Sequence, residues 1–184
     1  MRIVLFCENK YAVDILHPIG LEADREGRNE VLWYVHKEKI PVFPLKEQVA
    51  WTNNMQEVYD FSPEAIFVPG NIVPYYLPGV KIQVFHGYAA EKKGHWIIRN
   101  YFDAYFTQGP FFTKGFKALA EKHKTFEVLE TGWSRQDWVK EHFHDFDSDK
   151  ERMLKEAGRK HLVLYAPTFS PSLTSLPVMK EALV

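Results

Sequence analysis

Short apolar runs alternate along this chain with longer segments in which apolar residues recur at helical spacing. The runs are rich in β-branched and aromatic residues, which favours strands that are covered on both faces. Six strands are predicted, at residues 2–7, 30–35, 65–68, 81–85, 104–107 and 126–129. Strands separated by helix-length segments are typical of β-α-β units, so the pattern predicts an α/β fold with a Rossmann-like, doubly wound parallel sheet.

The segments between these strands carry the helical pattern. Five helices are predicted, at residues 11–26, 45–59, 95–102, 111–124 and 134–142. Pro18 falls inside the first of them. Because proline lacks a backbone N–H and collides with the preceding turn, we expect a kink or a break there.

The composition changes after the sixth strand. Residues 141–160 are dense in charge, and Ser148 and Glu151 have the spacing of a capping box that opens a solvated helix ending at Gly158. Residues 161–166 are again an apolar run and predict a strand. A polar helix followed by a new strand is typical of a connection between domains.

We therefore expect three parts in the chain. They are a Rossmann-like domain over residues 1–140, a charged linker helix over 141–160, and the first strand, loop and helix start of a second domain over 161–184. Because so short a remainder cannot complete a second domain, we expect the chain to be the N-terminal part of a larger protein, missing its C-terminal domain.

Composition and charge narrow the class of protein. The 184 residues are 46% apolar and 26% charged, which is enough for a packed core, and the net charge of -1 gives no basic surplus for nucleic acid. A single cysteine, Cys7, excludes an internal disulfide and fits a reducing cytosol. No apolar run approaches the about 20 residues needed to cross a bilayer. We expect a cytoplasmic location, with any membrane contact peripheral at the inner face.

Candidate substrate-binding residues follow the strands, because ligands of open α/β sheets bind at the carboxyl ends of the strands. Asn9 follows the first strand, and His86 and Gly87 follow the fourth. A histidine there can accept a proton from an attacking hydroxyl, or it can simply hydrogen-bond a loop carbonyl; the sequence leaves both open. Lys92 and Lys93 add a local basic surplus, which either suits an anionic substrate or is only a solvated basic face.

A loop rich in hydroxyl groups follows the last predicted strand. Its candidate anion-binding residues are Thr168, Ser170, Ser172, Thr174 and Ser175. Pro177 stands at an early position of the helix predicted next, and the free N–H groups of a helix start together with hydroxyls can hold a phosphate. The alternative is simple capping of that helix by one hydroxyl.

Two other kinds of site are not expected. The alternating carboxylates of residues 145–149 imitate part of a calcium loop, but Lys150 stands where that loop needs glycine, so no metal site is expected. Neither the glycine-rich dinucleotide motif nor the phosphate-binding P-loop motif occurs, and no cofactor is expected.

Three ordered segments, VFHG at 84–87, TGWSRQD at 131–137 and LYAPTF at 164–169, resemble motifs of the bacterial CDP-glycerol glycerophosphotransferase family. These enzymes make teichoic-acid-type cell envelope polysaccharides and carry His-Gly-Thr-Pro, Gly-x-x-Arg-x-Asp and Tyr-Ala-Pro-Thr-Trp motifs in that order. The FCEN segment at 6–9 is similar to family members as well.

The resemblance implies the N-terminal half of a GT-B architecture, in which two Rossmann-like domains face each other across a cleft. It implies a glycan or lipid-linked acceptor on the N-terminal domain and CDP-glycerol, or a related CDP-alcohol, on the C-terminal one. The acceptor hydroxyl, deprotonated by His86, would attack the phosphorus attached to glycerol, and CMP would leave. The 184-residue chain alone is then expected to be inactive.

The resemblance also extends to residues of the second and third motifs. Gly132, Arg135 and Asp137 match the second motif and are implied to bind substrate, although an Arg–Asp pair could instead serve only to fix the turn. The hydroxyl-rich loop begins in the third motif, which implies that it binds the donor phosphate.

Departures from the family's motifs leave the substrates open. Tyr88 and Ala89 stand where the family has Thr-Pro, and Phe169 and Ser170 stand where it has Trp-Arg. Another polyol phosphate is therefore an equal possibility. Alternatives are a different GT-B enzyme, such as a sugar-nucleotide epimerase or a glycosyltransferase, and a non-catalytic glycan-binding Rossmann-like domain.

Overall fold

The computed structural model describes residues 1–88, 90, 93–168 and 170–182. The chain divides into two compact units, Met1–Glu141 and His142–Val184. The first unit contains the sheet and its helices. None of the helices in the described ranges is long and apolar enough to cross a membrane.

One seven-stranded sheet is the centre of the first unit. Its strands are β1 (Arg2–Cys7), β2 (Glu30–Val35), β3 (Trp51–Thr52), β4 (Ala65–Val68), β5 (Val80–Val84), β6 (Ala104–Thr107) and β7 (Glu127–Glu130). All neighbouring strands are parallel, in the order β3-β2-β1-β4-β5-β6-β7. The chain runs outward from β1 in one direction and from β4 in the other, so the predicted Rossmann-like, doubly wound α/β fold is confirmed. Ligands of such sheets bind in the crevice where the direction reverses, between β1 and β4.

Helices cover both faces of this sheet. They are α1 (Lys10–Arg25), α2 (Met55–Phe61), α3 (Pro110–His123) and α4 (Ser134–Glu141). On one face, Ile15 and Leu16 of α1 belong to the same buried cluster as Trp33 of β2. On the other face, Val58 of α2 and Phe116 of α3 belong to a second buried cluster. Burial on both faces explains why the strands read as continuous apolar runs.

Pro18 does not break α1, because the helix is continuous from Lys10 to Arg25. Of the kink or break that the sequence predicts, the break is absent. Ile15 and Leu16 before the proline and Ala23 after it are all buried in one apolar cluster. Packing on both sides of Pro18 therefore holds a single helix despite the lost hydrogen bond.

Residues 45–59 form turns, β3 and α2 rather than the one predicted helix. The helix starts only at Met55, because Asn54 caps it: the Asn54 Oδ1 atom accepts a hydrogen bond of 2.9 Å from the backbone N–H of Gln56. Trp51 lies upstream in an edge strand, paired with Trp33. The Asn54 cap and the pairing of Trp51 with Trp33 therefore determine the structure of residues 45–59, despite the helical spacing of their apolar residues.

Residues 95–102 were also predicted as a helix, and this prediction was wrong. A single 3-10 turn, Lys93–Trp96, forms instead. The indole Nε1 of Trp96 donates a hydrogen bond of 2.9 Å to the Ala90 carbonyl, and its ring stacks on Phe112 of α3. Asn100 then takes a positive φ of 57°, which ends any helical continuation.

The second unit contains α5 (Asp147–Ala157), α6 (Leu176–Met179) and a final 3-10 turn, Lys180–Ala182. Gly158 ends α5 in the left-handed conformation, with φ 61°, as predicted. The predicted capping box does not form, because α5 starts before Ser148, with Phe146 at its N-cap position and no side-chain cap.

The predicted strand at 161–166 is not present: these residues, all described, have irregular backbone. A β-strand needs a neighbour to satisfy its backbone hydrogen bonds, and the described part of this unit contains no other strand. Val163 and Leu164 are accordingly exposed.

Candidate functional site

His86 follows β5 at the carboxyl edge of the sheet, and its Nδ1 atom lies 3.0 Å from the carbonyl oxygen of Pro69. A carbonyl oxygen only accepts hydrogen bonds, so Nδ1 carries the proton and Nε2 keeps its lone pair in the neutral ring. Nε2 makes no hydrogen bond to any residue that the structure describes. The loop hydrogen bond that the sequence left as one alternative is therefore present, and it leaves Nε2 available to accept a proton. The role of His86 as a base stays a prediction.

Two rings flank His86. The ring centroid of Tyr11 lies 5.0 Å from that of His86, and the buried ring of His95 lies 5.3 Å away at a steep angle. The amide of Asn9 donates a hydrogen bond of 3.4 Å to the Tyr11 hydroxyl. Burial raises the pKa of Tyr11, so its hydroxyl stays neutral. Asn9 thus contacts the His86 site through Tyr11.

Two glutamines fix the loops around His86. The side-chain amide of Gln83, in β5, donates to the carbonyl oxygen of Gly70 at 2.7 Å and to Asn71 Oδ1 at 2.8 Å. The amide of Gln108 donates to the carbonyl oxygen of Gly87 at 2.5 Å. Sequence reasoning missed both glutamines, although a polar residue inside an apolar strand, as at Gln83, is a usable signal.

Glu8 is a further site residue that sequence reasoning missed. It follows β1, and its carboxylate lies against Gly70, where an added Cβ would overlap it. Burial raises the pKa of this carboxyl, while Lys39 and His36 lower it. Glu8 and Gly70 thus lie on opposite sides of the crevice between β1 and β4.

The second motif lies at the start of α4 and contacts α1. The Arg135 guanidinium is 3.6 Å from the Asp14 carboxylate, and the Ser134 hydroxyl donates a hydrogen bond of 2.6 Å to the Ile15 carbonyl. Arg135 therefore pairs with α1 rather than with Asp137. Gly132 precedes α4 with a positive φ of 82°.

This second motif also reaches the loop that carries His86. The Trp133 ring meets Tyr88 edge to face, with centroids 5.0 Å apart. Trp133 and Asp137 line a groove of about 390 Å³ beside α1, whose remaining walls are mainly apolar. The indole N–H of Trp133 is buried without a hydrogen-bond partner among the described residues.

Of the two predicted lysines, Lys92 lies outside the described residues, and Lys93 is exposed at the start of the 3-10 turn after His86. The structure therefore brings together His86, Gly87 and, through Tyr11, Asn9, and it places the basic side chain of Lys93 in the following segment.

The predicted phosphate-binding hydroxyls lie in the second unit and hydrogen-bond locally. The bonds join Ser170 Oγ to Ser172 Oγ at 3.4 Å, Ser175 Oγ to the Tyr165 hydroxyl at 2.6 Å, the Leu176 N–H to Thr174 Oγ1 at 3.3 Å and the Ser170 N–H to Thr168 Oγ1 at 3.5 Å. The bond from Leu176 joins the first N–H of α6 to a hydroxyl two residues earlier, whereas the hydroxyl of Ser175, the residue directly before the helix, pairs with Tyr165. Phosphate binding by this loop stays a prediction.

Among the described residues, no group of three or more histidine, cysteine or acidic side chains is placed to hold a metal ion. In the segment that imitates a calcium loop, Asp147 pairs with His144 at 2.8 Å and Asp149 pairs with Arg152 at 2.7 Å.

Comparison with protein-family models, with curated proteins and with solved structures finds no match for this chain. The function proposed below therefore depends on the motifs and on the geometry around His86.

Proposed function

We propose that this chain is the base-bearing, acceptor-side part of a GT-B enzyme that transfers glycerol phosphate, or a similar polyol phosphate, from a CDP-activated donor to a hydroxyl of a glycan or lipid-linked acceptor. The observation that carries the proposal is the orientation of His86. Its Nδ1 is engaged by the Pro69 carbonyl at 3.0 Å, so the neutral ring offers Nε2 as the proton acceptor.

In the proposed step, the acceptor O–H gives its proton to Nε2 of His86 while its oxygen attacks the phosphorus attached to glycerol. A new P–O bond forms, the P–O bond to the CMP phosphate breaks, and CMP leaves with the bonding electron pair. The products are the glycerophosphorylated acceptor and CMP. Transfer of this kind depends mainly on positioning and on stabilising the charge of the transferred group.

The loops around His86 support such positioning. Gln83 and Gln108 hold the backbone on either side of the imidazole, through the carbonyl groups of Gly70 and Gly87. Apart from its chain neighbours, no described residue has an atom within 4 Å of the place that a Cβ of Gly87 would take, so these residues leave room for a substrate beside the backbone. Rigid loops beside an open approach are what an in-line transfer requires.

The exposure and the weak ion pair of Arg135 support a role for this residue in binding phosphate. It is half-exposed, and its only ion pair among the described residues is the 3.6 Å contact with the exposed Asp14. Such a pair is weak, so an incoming phosphate can compete with it for the guanidinium. Arg135 would then stabilise the negative charge of the donor.

The proposal is tested by measuring CMP release from CDP-glycerol, using the full polypeptide that the gene encodes and a glycan or lipid-linked acceptor. His86→Ala should lower the rate by about 10²- to 10⁴-fold, the usual contribution of a general base. His123→Ala is the matched control, because His123 lies in the last turn of α3. Wild-type CMP release by His86→Ala overturns the proposed base. A shift in melting temperature with UDP-sugars but not with CDP-glycerol overturns the proposed donor.

A further inference from the structure

A second cavity, of about 340 Å³, opens at the carboxyl ends of β1 and β2 on the sheet face that α2 covers. Its walls include Phe6 and Glu8 from the first strand and its loop, Tyr34 and His36 from the second, and Tyr75 from the loop after β4. The cavity therefore lies at the point where the strand order reverses, the usual ligand position in this type of sheet.

Two side chains at this cavity carry polar atoms that have no hydrogen-bond partner among the described side chains. The Nδ1 atom of His36 is fully buried and has no hydrogen-bond partner among the described residues. The Glu8 carboxylate makes no hydrogen bond to a described side chain, and burial raises its pKa even though Lys39 and His36 lower it. Because buried polar atoms are normally paired, the His36 nitrogen indicates a ligand with a hydrogen-bonding atom. The half-buried Glu8 carboxylate offers acceptor oxygens at the same cavity.

Aromatic rings form the apolar walls. Phe6 and Tyr34 stack with their centroids 4.6 Å apart, and Tyr75 is 83% exposed at the rim. A tyrosine ring offers a flat apolar face and a polar hydroxyl together, which suits a ligand with one apolar and one hydroxylated side.

We propose that this cavity binds a sugar ring with a vicinal diol, in which the Glu8 carboxylate accepts hydrogen bonds from two adjacent hydroxyls while the ring lies against the tyrosines. A third hydroxyl can pair with Nδ1 of His36, since a hydroxyl both donates and accepts. The use of this site for the acceptor rests on the proposed function, whereas ring binding does not.

The main competitor is a quaternary ammonium ligand, because aromatic walls beside a carboxylate also suit such a cation. Two observations favour the diol. A quaternary ammonium group has no hydrogen-bonding atom for the buried His36 nitrogen, and the positive charge of Lys39 acts on the same carboxylate.

The test is an NMR titration of the 184-residue chain, following the amide signals of Glu8, His36 and Tyr75. The probes are methyl glycosides of common hexoses, cytidine, 2′-deoxycytidine and choline, each at millimolar concentration. Saturating shifts with a hexoside support the proposal and assign a saccharide as the source of the diol. Shifts with cytidine but not with 2′-deoxycytidine support it and assign a nucleoside.

Variants then locate the binding. Glu8→Gln and Tyr75→Ala should each weaken binding by about tenfold or more, as expected for the loss of a charge-assisted hydrogen bond or a stacked ring. Glu38→Gln and Tyr59→Ala, at exposed positions that do not line the cavity, should leave it unchanged. Since Tyr75 is exposed, its loss does not threaten the fold.

Three results overturn the proposal: no saturating shift with any diol probe, choline binding in place of the diols, or equal binding by Glu8→Gln and wild type. These results are independent of CMP release. If the chain binds no sugar ring but CMP release still depends on His86, the proposed function is kept and this site is lost. If the chain binds a sugar ring but CMP release does not depend on His86, this site is kept and the proposed function is lost.

Discussion

The indole ring of Trp96 lies so close to Gly115 of α3 that a Cβ atom at position 115 would overlap the ring. The ring also stacks on Phe112 and Phe116, with centroids 5.5 and 5.2 Å away. Its N–H donates to the Ala90 carbonyl. Gly115 thus provides the space in which one side chain fixes the segment that follows His86.

Gly115→Ala should therefore destabilise the protein, although alanine is the better helix former by about 1 kcal/mol. Overpacking a filled core costs about 1–3 kcal/mol, and the stacked Trp96 ring cannot turn away without losing its contacts. We expect a lower urea midpoint and a changed tryptophan fluorescence spectrum. Gly94→Ala is the control, because no described residue other than its chain neighbours has an atom within 4 Å of its added Cβ. Equal midpoints for the two variants would contradict the role of Gly115.

A second pair of glycines separates backbone strain from crowding. Gly27 and Gly79 both have positive φ, 66° and 86°, but only at Gly79 would a Cβ overlap backbone atoms, those of Pro63 and Glu64. Gly27→Ala should cost about 1–2 kcal/mol from the left-handed conformation alone. Gly79→Ala should cost clearly more, because a backbone clash cannot be relieved by a rotamer change. Denaturant unfolding measures both, and similar losses would show that the crowding at Gly79 relaxes freely.

Six of the seven strands of the sheet could be predicted closely from the sequence. Four of them have the predicted bounds, while β5 and β7 are each displaced by one residue. Strands buried on both faces leave an unbroken apolar signal, and their number and spacing determine the doubly wound class. The two-residue edge strand at Trp51 was missed, because so short a pairing leaves no pattern of its own.

The candidate site was only partly predictable. His86 was found because it directly follows a strand. The partner of its Nδ1 atom, Pro69, lies in the loop after a different strand, so no local sequence pattern predicts that contact. Glu8 and Gln108 were missed for the same reason, since each acquires its role from a backbone brought near by the sheet order. The residue types indicate the possible chemistry, whereas the order of the strands in the sheet determines which residues lie close together.

Arg135 and Asp14 allow a substrate role to be distinguished from a structural one. Their side chains are 43% and 61% exposed, and exposed ion pairs contribute only about 0.2–1 kcal/mol. Arg135→Ala and Asp14→Ala should therefore each lower the free energy of unfolding by less than about 1 kcal/mol. CMP release by the full polypeptide should fall only in Arg135→Ala. Equal losses of activity in both variants would mean that Arg135 acts only through its contact with α1.

Cys7 should make the stability of the protein sensitive to alkaline pH. Burial, together with the nearby carboxylates of Glu8 and Asp14, raises the pKa of its thiol from 9.0 to about 12. Between these two values the unfolded chain loses the thiol proton while the folded chain keeps it, so stability falls as the pH rises from about 9 to about 12. The urea midpoint should fall more steeply over this range in the wild type than in Cys7→Ala. Tyr105, whose pKa burial also raises to about 12, contributes to the decline that both proteins share.

The same burial predicts a direct chemical result. A thiol-specific disulfide reagent at pH 8 should leave Cys7 unmodified in the folded protein, because the reacting species is the exposed thiolate. In urea the thiol should react at the rate of a small-molecule thiol. Because Cys7 is the one cysteine of the chain, the reaction needs no correction for other thiols. Equal rates in the folded and unfolded protein would mean that β1 opens readily, and the steep alkaline decline should then vanish too.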